Sequence, residues 1–310
     1  MTVFLAGASG LVGAAVAEAA ARRGHRVVGV VGTYAGEIPG LAAKLALDLT
    51  EVMAVSNAVL EHFPDVIFNC AAISSPEACE ADPVRAQALN VTLPATLARL
   101  ANHVSARFVH VSSEQVFDGT QPKPYAANDV SSPINLYGRQ KLESERAVQS
   151  AAAEFAVTIR APLLIGDSLS GRRSVHERLF ADWSTGRTVR LFTDELRQPC
   201  TAANLAEVIV ELGERRDPCG VFHWAGSEVL SRHALGLRVR EHFKLTEKQA
   251  PIAAVKRAEA PDMAKKRQAT LALDLTPLAG ILKTRPQTIT EQLDELKVPP
   301  PYRAWYLAQQ

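Results

Sequence analysis

A glycine turn near the start of the chain limits the folds open to it more than any other feature. GASGLVG places Gly7, Gly10 and Gly13 at three-residue intervals, directly after the apolar run Thr2 to Ala6 and before a helical pattern from Leu11 to Arg23. Strand, tight turn and helix N-terminus in that order gather backbone amides and the positive end of a helix dipole, which suits a pyrophosphate. The first glycine permits the turn, the second lets a phosphate approach, and the third lets the helix pack closely. With both flanks in place the motif reads as a dinucleotide site, with Ser9 and Leu11 beside the glycines.

The fold class this implies is α/β, a Rossmann-type doubly wound parallel sheet. Arg26 to Val31 reads as the second strand, and it ends in Gly32, Thr33 and Tyr34 rather than in an Asp or Glu. Without that carboxylate nothing repels a 2′-phosphate, so the cofactor expected is NADP or NAD, with a mild preference for NADP. Asp48 and Leu49 follow a further apolar stretch; they flank an adenine ring or, on the plainer reading, Asp48 caps the helix that starts near Thr50. Asp65 to Ala72, DVIFNCAA, reads as a buried strand ending in small residues, with Asn69 on the ligand side of the sheet. Asp82 to Asn102 is helical by pattern, and Asn90 within it is either an ordinary polar residue or, as we prefer, a bridge to the backbone.

Composition narrows the partners. The 310 residues are 47% hydrophobic and carry a formal net charge of +1 with mixed signs throughout, which leaves no electrostatic footprint for nucleic acid or an anionic membrane. Small molecules are expected instead, with a homodimer as the protein-level alternative. Cys70, Cys79, Cys200 and Cys219 have neither CxxC spacing nor histidine neighbours, so no metal site is expected. They read as reduced, mostly buried thiols of a cytoplasmic protein. The alanine-rich start lacks the basic region of a signal peptide, and no run is long and uncharged enough to cross a bilayer.

Chemistry enters at NLYGRQK, where Tyr137 and Lys141 stand four residues apart on a helical pattern and so share one face. An ammonium beside a phenol is expected to lower its pKa from about 10. Upstream, RFVHVSS (Arg107 to Ser113) is a strand that carries Ser112 and Ser113 to the same sheet edge, where a hydroxyl either polarises a substrate carbonyl or caps the turn. Glycine turn, strand-end serine and Tyr-x-x-x-Lys come in the order that brings them together over one sheet edge.

Those residues resemble a family. GASGLVG, NCAA, SSEQVF and NLYGRQK look like the extended short-chain dehydrogenase/reductases. Within them, SSEQVFDG followed by SSPINLYGRQKLESE is most similar to the dTDP-4-dehydrorhamnose reductase branch, which also includes the regulatory β subunit of methionine adenosyltransferase. TIRAPLLIG, GVFHWAGSEVLSRHAL and RQATLALD extend the likeness over nearly the whole chain. The resemblance implies Ser113, Tyr137 and Lys141 as the catalytic set. It also implies that Gly7, Gly10 and Gly13 hold the pyrophosphate, Asp48 and Leu49 the adenine, and Ala71 and Ala72 the inner face of the cofactor. The activity implied is NAD(P)-dependent reduction of a nucleotide-linked 4-keto-6-deoxy sugar. The alternatives are a non-catalytic NADP-binding regulatory subunit, or an epimerase or dehydratase of the extended family. Two departures bear on the substrate: Ser113 stands where these reductases usually have Thr, and Glu114 and Gln115 replace an Asp-Tyr pair.

The domain organisation expected is an NAD(P)-binding domain over 1–166, completed by about 189–226, and a smaller, discontinuous substrate region within 167–310. Val189 to Phe192 and Val221 to Ala225 read as strands returning to the main sheet, with a helix from Thr201 to Arg215 between them. Arg172, Arg173, Arg178 and Arg187 suit the phosphates of a nucleotide sugar or form a solvated surface; both readings stand. Further helices are expected over Val175 to Thr185, Ser231 to Phe243 and Thr288 to Lys297, and a charged loop over Lys256 to Arg267. In the tail PPPYRAWYLAQQ the prolines speak against helix, and the aromatic side chains ask for cover from this chain or a neighbour.

Overall fold

The computed structural model describes residues 1–310 except Lys266 and the side chain of Met263. Six strands run in chain order through the first half: β1 (Thr2–Ala6), β2 (Arg26–Val31), β3 (Ala43–Ala46), β4 (Val66–Asn69), β5 (Arg107–Ser113) and β6 (Ala156–Ala161). Short strands β7 (Leu164–Ile165), β8 (Val189–Phe192), β9 (Leu196–Arg197) and β10 (Cys200–Thr201) follow, then β11 (Gly220–His223), β12 (Leu230–Ser231), β13 (Ile252–Val255) and β14 (Thr270–Leu271). The main sheet has seven parallel strands in the order β11-β6-β5-β4-β1-β2-β3. Strand order reverses between β1 and β4, and at such a switch point the crevice beyond the strand ends takes a ligand.

The helices that bear on the site are α1 (Leu11–Arg22), α2 (Val52–His62), α3 (Pro76–Ala81), α4 (Pro83–Gln87), α5 (Leu93–Val104), α6 (Leu136–Ala152), α7 (Val175–Trp183), α8 (Ala202–Gly213) and α9 (Arg232–His242), and shorter ones follow, among them Ile289–Asp294. Near-continuous burial of β1, β2, β4 and β6 is what a parallel sheet covered on both faces requires. On one face α1 and α8 bury Val16, Ala20, Leu205 and Ile209 against Leu5, Phe68 and Val109. On the other α2, α5 and α6 bury Val59, Leu97 and Val148 against Phe4, Ile67 and Phe108. The alanines of α1 keep its contact with the sheet short, and a Cβ on Gly13 would stand 2.1 Å from the Gly7 carbonyl oxygen.

Of the two strands expected back in the main sheet, only β11 joins it, beside β6. β8 pairs with β13 in a separate two-stranded ribbon. Its half-buried, exposed alternation suits an edge rather than a doubly covered sheet. The stretch expected as a charged loop holds a 3₁₀ turn (Arg257–Glu259) and a short helix (Pro261–Ala264), with Lys266 outside the described residues. The pattern from Asp82 to Asn102 divides into α4, a π-helical turn (Ala88–Thr92) and α5.

The tail also departs from expectation. Pro300–Tyr302 forms a 3₁₀ turn and Arg303–Leu307 a short helix, because proline is tolerated at a helix start, where its missing N–H has no partner to lose. Tyr302, Trp305 and Tyr306 pack around Phe180, and Tyr306 also meets Phe243, so this chain supplies their cover. No helix among the described residues is long and apolar enough to cross a membrane. Of the free cysteines Cys79 and Cys200 are buried, but Cys70 is half-buried and Cys219 exposed.

Candidate active site

β5 delivers its last residues to the sheet edge in extended conformation, and there the Ser113 hydroxyl accepts from Gln115 N at 3.2 Å, capping the 3₁₀ turn Glu114–Val116. Across from it, Asn135 caps α6, its Oδ1 accepting from Gly138 N at 2.8 Å. A Cβ on Gly138 would meet the Gln115 carbonyl oxygen at 2.2 Å, so only glycine lets α6 lie this close to the turn. That closeness puts Tyr137 in hydrogen-bond contact with Ser113. One turn on, the Lys141 ammonium donates to the Val111 carbonyl at 2.7 Å.

Both side chains are almost wholly buried, and burial decides their acidity. It pushes the Tyr137 phenol above its ordinary value, against the pull of the Ser113 hydrogen bond. It brings Lys141 down to about 8, with Glu145 opposing the shift. The lowered phenol pKa expected from the Tyr-Lys spacing is therefore not what the fold produces. The phenolate would be desolvated, and the ammonium is aimed at β5. A protonated phenol near neutral pH is the form that can give a proton.

The glycine turn opens onto a cavity of about 350 Å³ lined by Gly7, Ser9, Gly10, Asp48, Leu49, Ala71 and Ala72. Gly32, Thr33 and Arg85 lie at the same cavity. A second cavity, of about 410 Å³, is lined by Leu11, Ser113, Tyr137 and Lys141. Gly10, Cys70, Ala72 and Arg173 border both, so one groove runs from the end of β2 to the Ser-Tyr-Lys set. Gly13 borders neither cavity, and its part is the close packing of α1 beneath the turn. Asp48 does not cap α2; it accepts from Thr50 N at 3.0 Å and Thr50 Oγ1 at 2.9 Å, which with Arg85 at 3.4 Å holds its pKa below the usual range.

Buried polar chains fix this groove from beneath. Asn69 sits under the groove rather than in it, its Oδ1 accepting from Ala71 N at 3.2 Å and its amide meeting His110 Nδ1 at 3.1 Å. His110 Nε2 contacts Ser144 Oγ at 3.0 Å, and Ser144 donates to the Lys141 carbonyl at 2.7 Å. Asn90, in the π turn, bridges Ile73 N and O and donates to Gln140 at 2.9 Å, as the preferred reading had it. Such turns recur at functional sites.

A buried ion pair ties α6 to β6. Arg160 donates to both Glu145 oxygens, at 3.0 and 2.8 Å, and lies 4.9 Å from the Phe117 ring centre; Ser112 donates to Glu145 at 2.5 Å. Glu145→Ala would leave the Arg160 charge buried without its partner. The expected cost is about 3–5 kcal/mol, read as a lower urea midpoint with unchanged slope; a loss under about 1 kcal/mol would contradict it.

Toward the C-terminal region the second cavity is lined by Arg173 and Arg178, but not by Arg172 or Arg187. Arg187 is exposed beside Asp182 at 3.8 Å. Sequence reasoning missed Glu195, Arg197, Arg232 and Arg267, which also line this cavity. Glu195 accepts from Arg267 at 2.7 Å through both oxygens, and has Arg197 at 3.2 Å and Arg232 at 3.9 Å. Those arginines hold its pKa below the usual range despite burial. No spacing links the four in sequence. The only signal was that Arg232 and Arg267 fall in the stretches SEVLSRHAL and RQATLALD.

Comparison with known proteins agrees with this architecture. The sequence pattern of the RmlD substrate binding domain matches residues 1–297. Methionine adenosyltransferase 2 subunit beta of Xenopus tropicalis is 34% identical over 247 residues, 78% of this chain and 72% of that protein. The dTDP-4-dehydrorhamnose reductase of Mycobacterium tuberculosis is 32% identical over 234 residues, 74% of this chain and 71% of that protein. Among solved structures, that of a hypothetical dTDP-4-dehydrorhamnose reductase from Sulfolobus tokodaii superposes with a TM-score of 0.81 at 29% identity, covering 96% of this chain and 100% of that one.

Proposed function

The chain belongs to the RmlD substrate binding domain family, and from that premise we propose that it is an NAD(P)-dependent reductase of a nucleotide-linked 4-keto-6-deoxy sugar. The observation that carries this reading is the position of Ser113, Tyr137 and Lys141 along one groove with the glycine turn. The turn fits a dinucleotide: a Cβ on Gly7 would lie 2.7 Å from Ala71 Cα, so the wall of the groove is kept bare where a pyrophosphate would lie. A nicotinamide dinucleotide bound there would supply the hydride.

The remaining work falls to the chain's own residues. Ser113 and Tyr137 take the substrate carbonyl oxygen between their hydroxyls. Tyr137 gives its proton to that oxygen as negative charge develops on it, and Lys141, cationic below about pH 8, would hold the nicotinamide ribose. Arg173 and Arg178 face the diphosphate of the substrate. NADP is preferred because Gly32 and Thr33 present no carboxylate at the adenosine end. Residues 1–166 with α8 and β11 form the cofactor domain, and the rest closes over the sugar.

The test follows NADPH and NADH absorbance across a panel of nucleotide-linked keto sugars. Oxidation of NADPH by a 4-keto-6-deoxy sugar is expected. The likeness to the adenosyltransferase β subunit supports a second reading, a cofactor-binding regulatory subunit. Absence of oxidation with every sugar, together with co-purification of a methionine adenosyltransferase, would replace the first reading with the second.

A further inference from the structure

Next to Ser113, at the point where the groove meets the arginine cluster, lies a carboxyl group that the mechanism above does not use. Glu114 is 4% exposed and lines the same cavity as Tyr137. Its Oε2 is buried without a hydrogen-bond partner among the described residues. Its other oxygen stands 3.6 Å from Arg197 Nε, too long for a hydrogen bond. Glu114 is still a charge partner of Arg197, but the guanidinium makes its hydrogen bonds elsewhere. That guanidinium donates to the carbonyls of Leu196 at 2.6 Å, Gln268 at 2.9 Å and Ala269 at 3.3 Å, and it pairs with Glu195.

Glu195 takes hydrogen bonds from the cluster, whereas Glu114 faces it with one oxygen left unpaired. A buried carboxylate with one oxygen unsatisfied is costly; a buried carboxylic acid pointing its O–H at a ligand is not. We propose that the Glu114 carboxyl donates a hydrogen bond to the sugar hydroxyl on the carbon beside the reacting carbonyl, and so selects substrates that carry it. This rests on the reductase reading for the identity of the sugar.

The electrostatics agree with an un-ionised group. Burial pushes Glu114 up to about 8. Glu195 adds to the rise, while Arg197, Arg232 and a hydrogen bond from the Leu163 backbone oppose it. Tyr137 faces it from α6 as a neutral phenol, and Arg267 is engaged by Glu195. Below about pH 8 the group donates to the sugar hydroxyl; above it the carboxylate accepts from the same hydroxyl, so the contact is kept in either form.

The experiment compares a nucleotide-linked 4-keto-6-deoxy sugar with its 3-deoxy counterpart, on the full chain with NADPH, across pH. Their kcat/KM ratio is the readout, because any effect of Lys141 titration is shared by both substrates and cancels. In the wild type the hydroxylated sugar is expected to be favoured about 10- to 100-fold at pH 6.5, with discrimination kept as pH rises through 8. Glu114→Ala brings the ratio to within about threefold of unity. Glu114→Gln, which keeps a donor and an acceptor, retains discrimination across the same range. A purely structural role would lower rates on both sugars together and leave the ratio in place. A wild-type ratio near unity, or the same ratio in Glu114→Ala, overturns the proposal while leaving the reductase reading intact. If no sugar is reduced, that reading falls, and calorimetric binding of the two sugars takes the place of kcat/KM. Equal binding, or none, then overturns the proposal, and preferential binding that Glu114→Ala abolishes supports it.

Discussion

Tyr137→Phe is expected to lower turnover about 100- to 10,000-fold while leaving the affinity for NADPH within about twofold. The substitution removes one oxygen from a side chain that is 6% exposed, so the ring still fills its place beside Ile73 and Cys79. What disappears is the proton and the partner of the Ser113 hydroxyl. Because burial holds the phenol above its ordinary pKa, the wild-type proton stays on the oxygen through the neutral range, and on the proposed mechanism it is released only as the carbonyl becomes an alkoxide. On the same mechanism Ser113 alone can still polarise that oxygen, so some activity is expected to remain. Steady-state NADPH oxidation with fluorescence titration of the cofactor checks both halves. A variant with unchanged kcat would remove Tyr137 from the chemistry.

How far such a site can be read from sequence depends on whether its residues are local to one another. The strand, glycine turn and helix between Thr2 and Arg22 are contiguous, so their geometry is written in their spacing. The same holds for Tyr137 and Lys141, one helical turn apart. Asn69 shows where spacing stops being enough. It was placed correctly at the end of β4, but its side chain turns under the groove to meet His110 on the next strand, a contact between residues 41 apart.

Glu195, Arg197, Arg232 and Arg267 show the same limit more fully. They come from a loop, β9, the start of α9 and the approach to β14, and only the antiparallel and parallel pairings of β12, β9 and β14 gather them. A charge count along the chain could not separate these residues from Arg187, which points to solvent. The pKa of Tyr137 was misjudged for a related reason. The spacing showed which residues are neighbours, but not that both would be desolvated or that Val111 would take the ammonium.

Lys141→Met is expected to cost turnover about 100- to 1,000-fold and, unlike Tyr137→Phe, to weaken cofactor binding as well. The same variant is expected to be at least as stable as the wild type at pH 7. Lys141 is fully buried, and burial brings its pKa from 10.5 to about 8. Between those values the unfolded chain binds a proton that the native protein does not, so native stability rises with pH across that window. Below pH 8 the buried cation costs the fold up to about 3 kcal/mol, and methionine removes that cost. Against this, the Val111 carbonyl loses its donor, a loss of about 1–3 kcal/mol. The net effect at pH 7 is near zero or stabilising, and the wild type gains on the variant as pH climbs from 8 toward 10.5. Urea unfolding at pH 7 and pH 10 reads the stability, and NADPH oxidation reads the rate. Retained turnover in the variant would show that the ammonium serves the fold alone. A large loss of stability at pH 7 would show that Lys141 is held as a structural donor to β5.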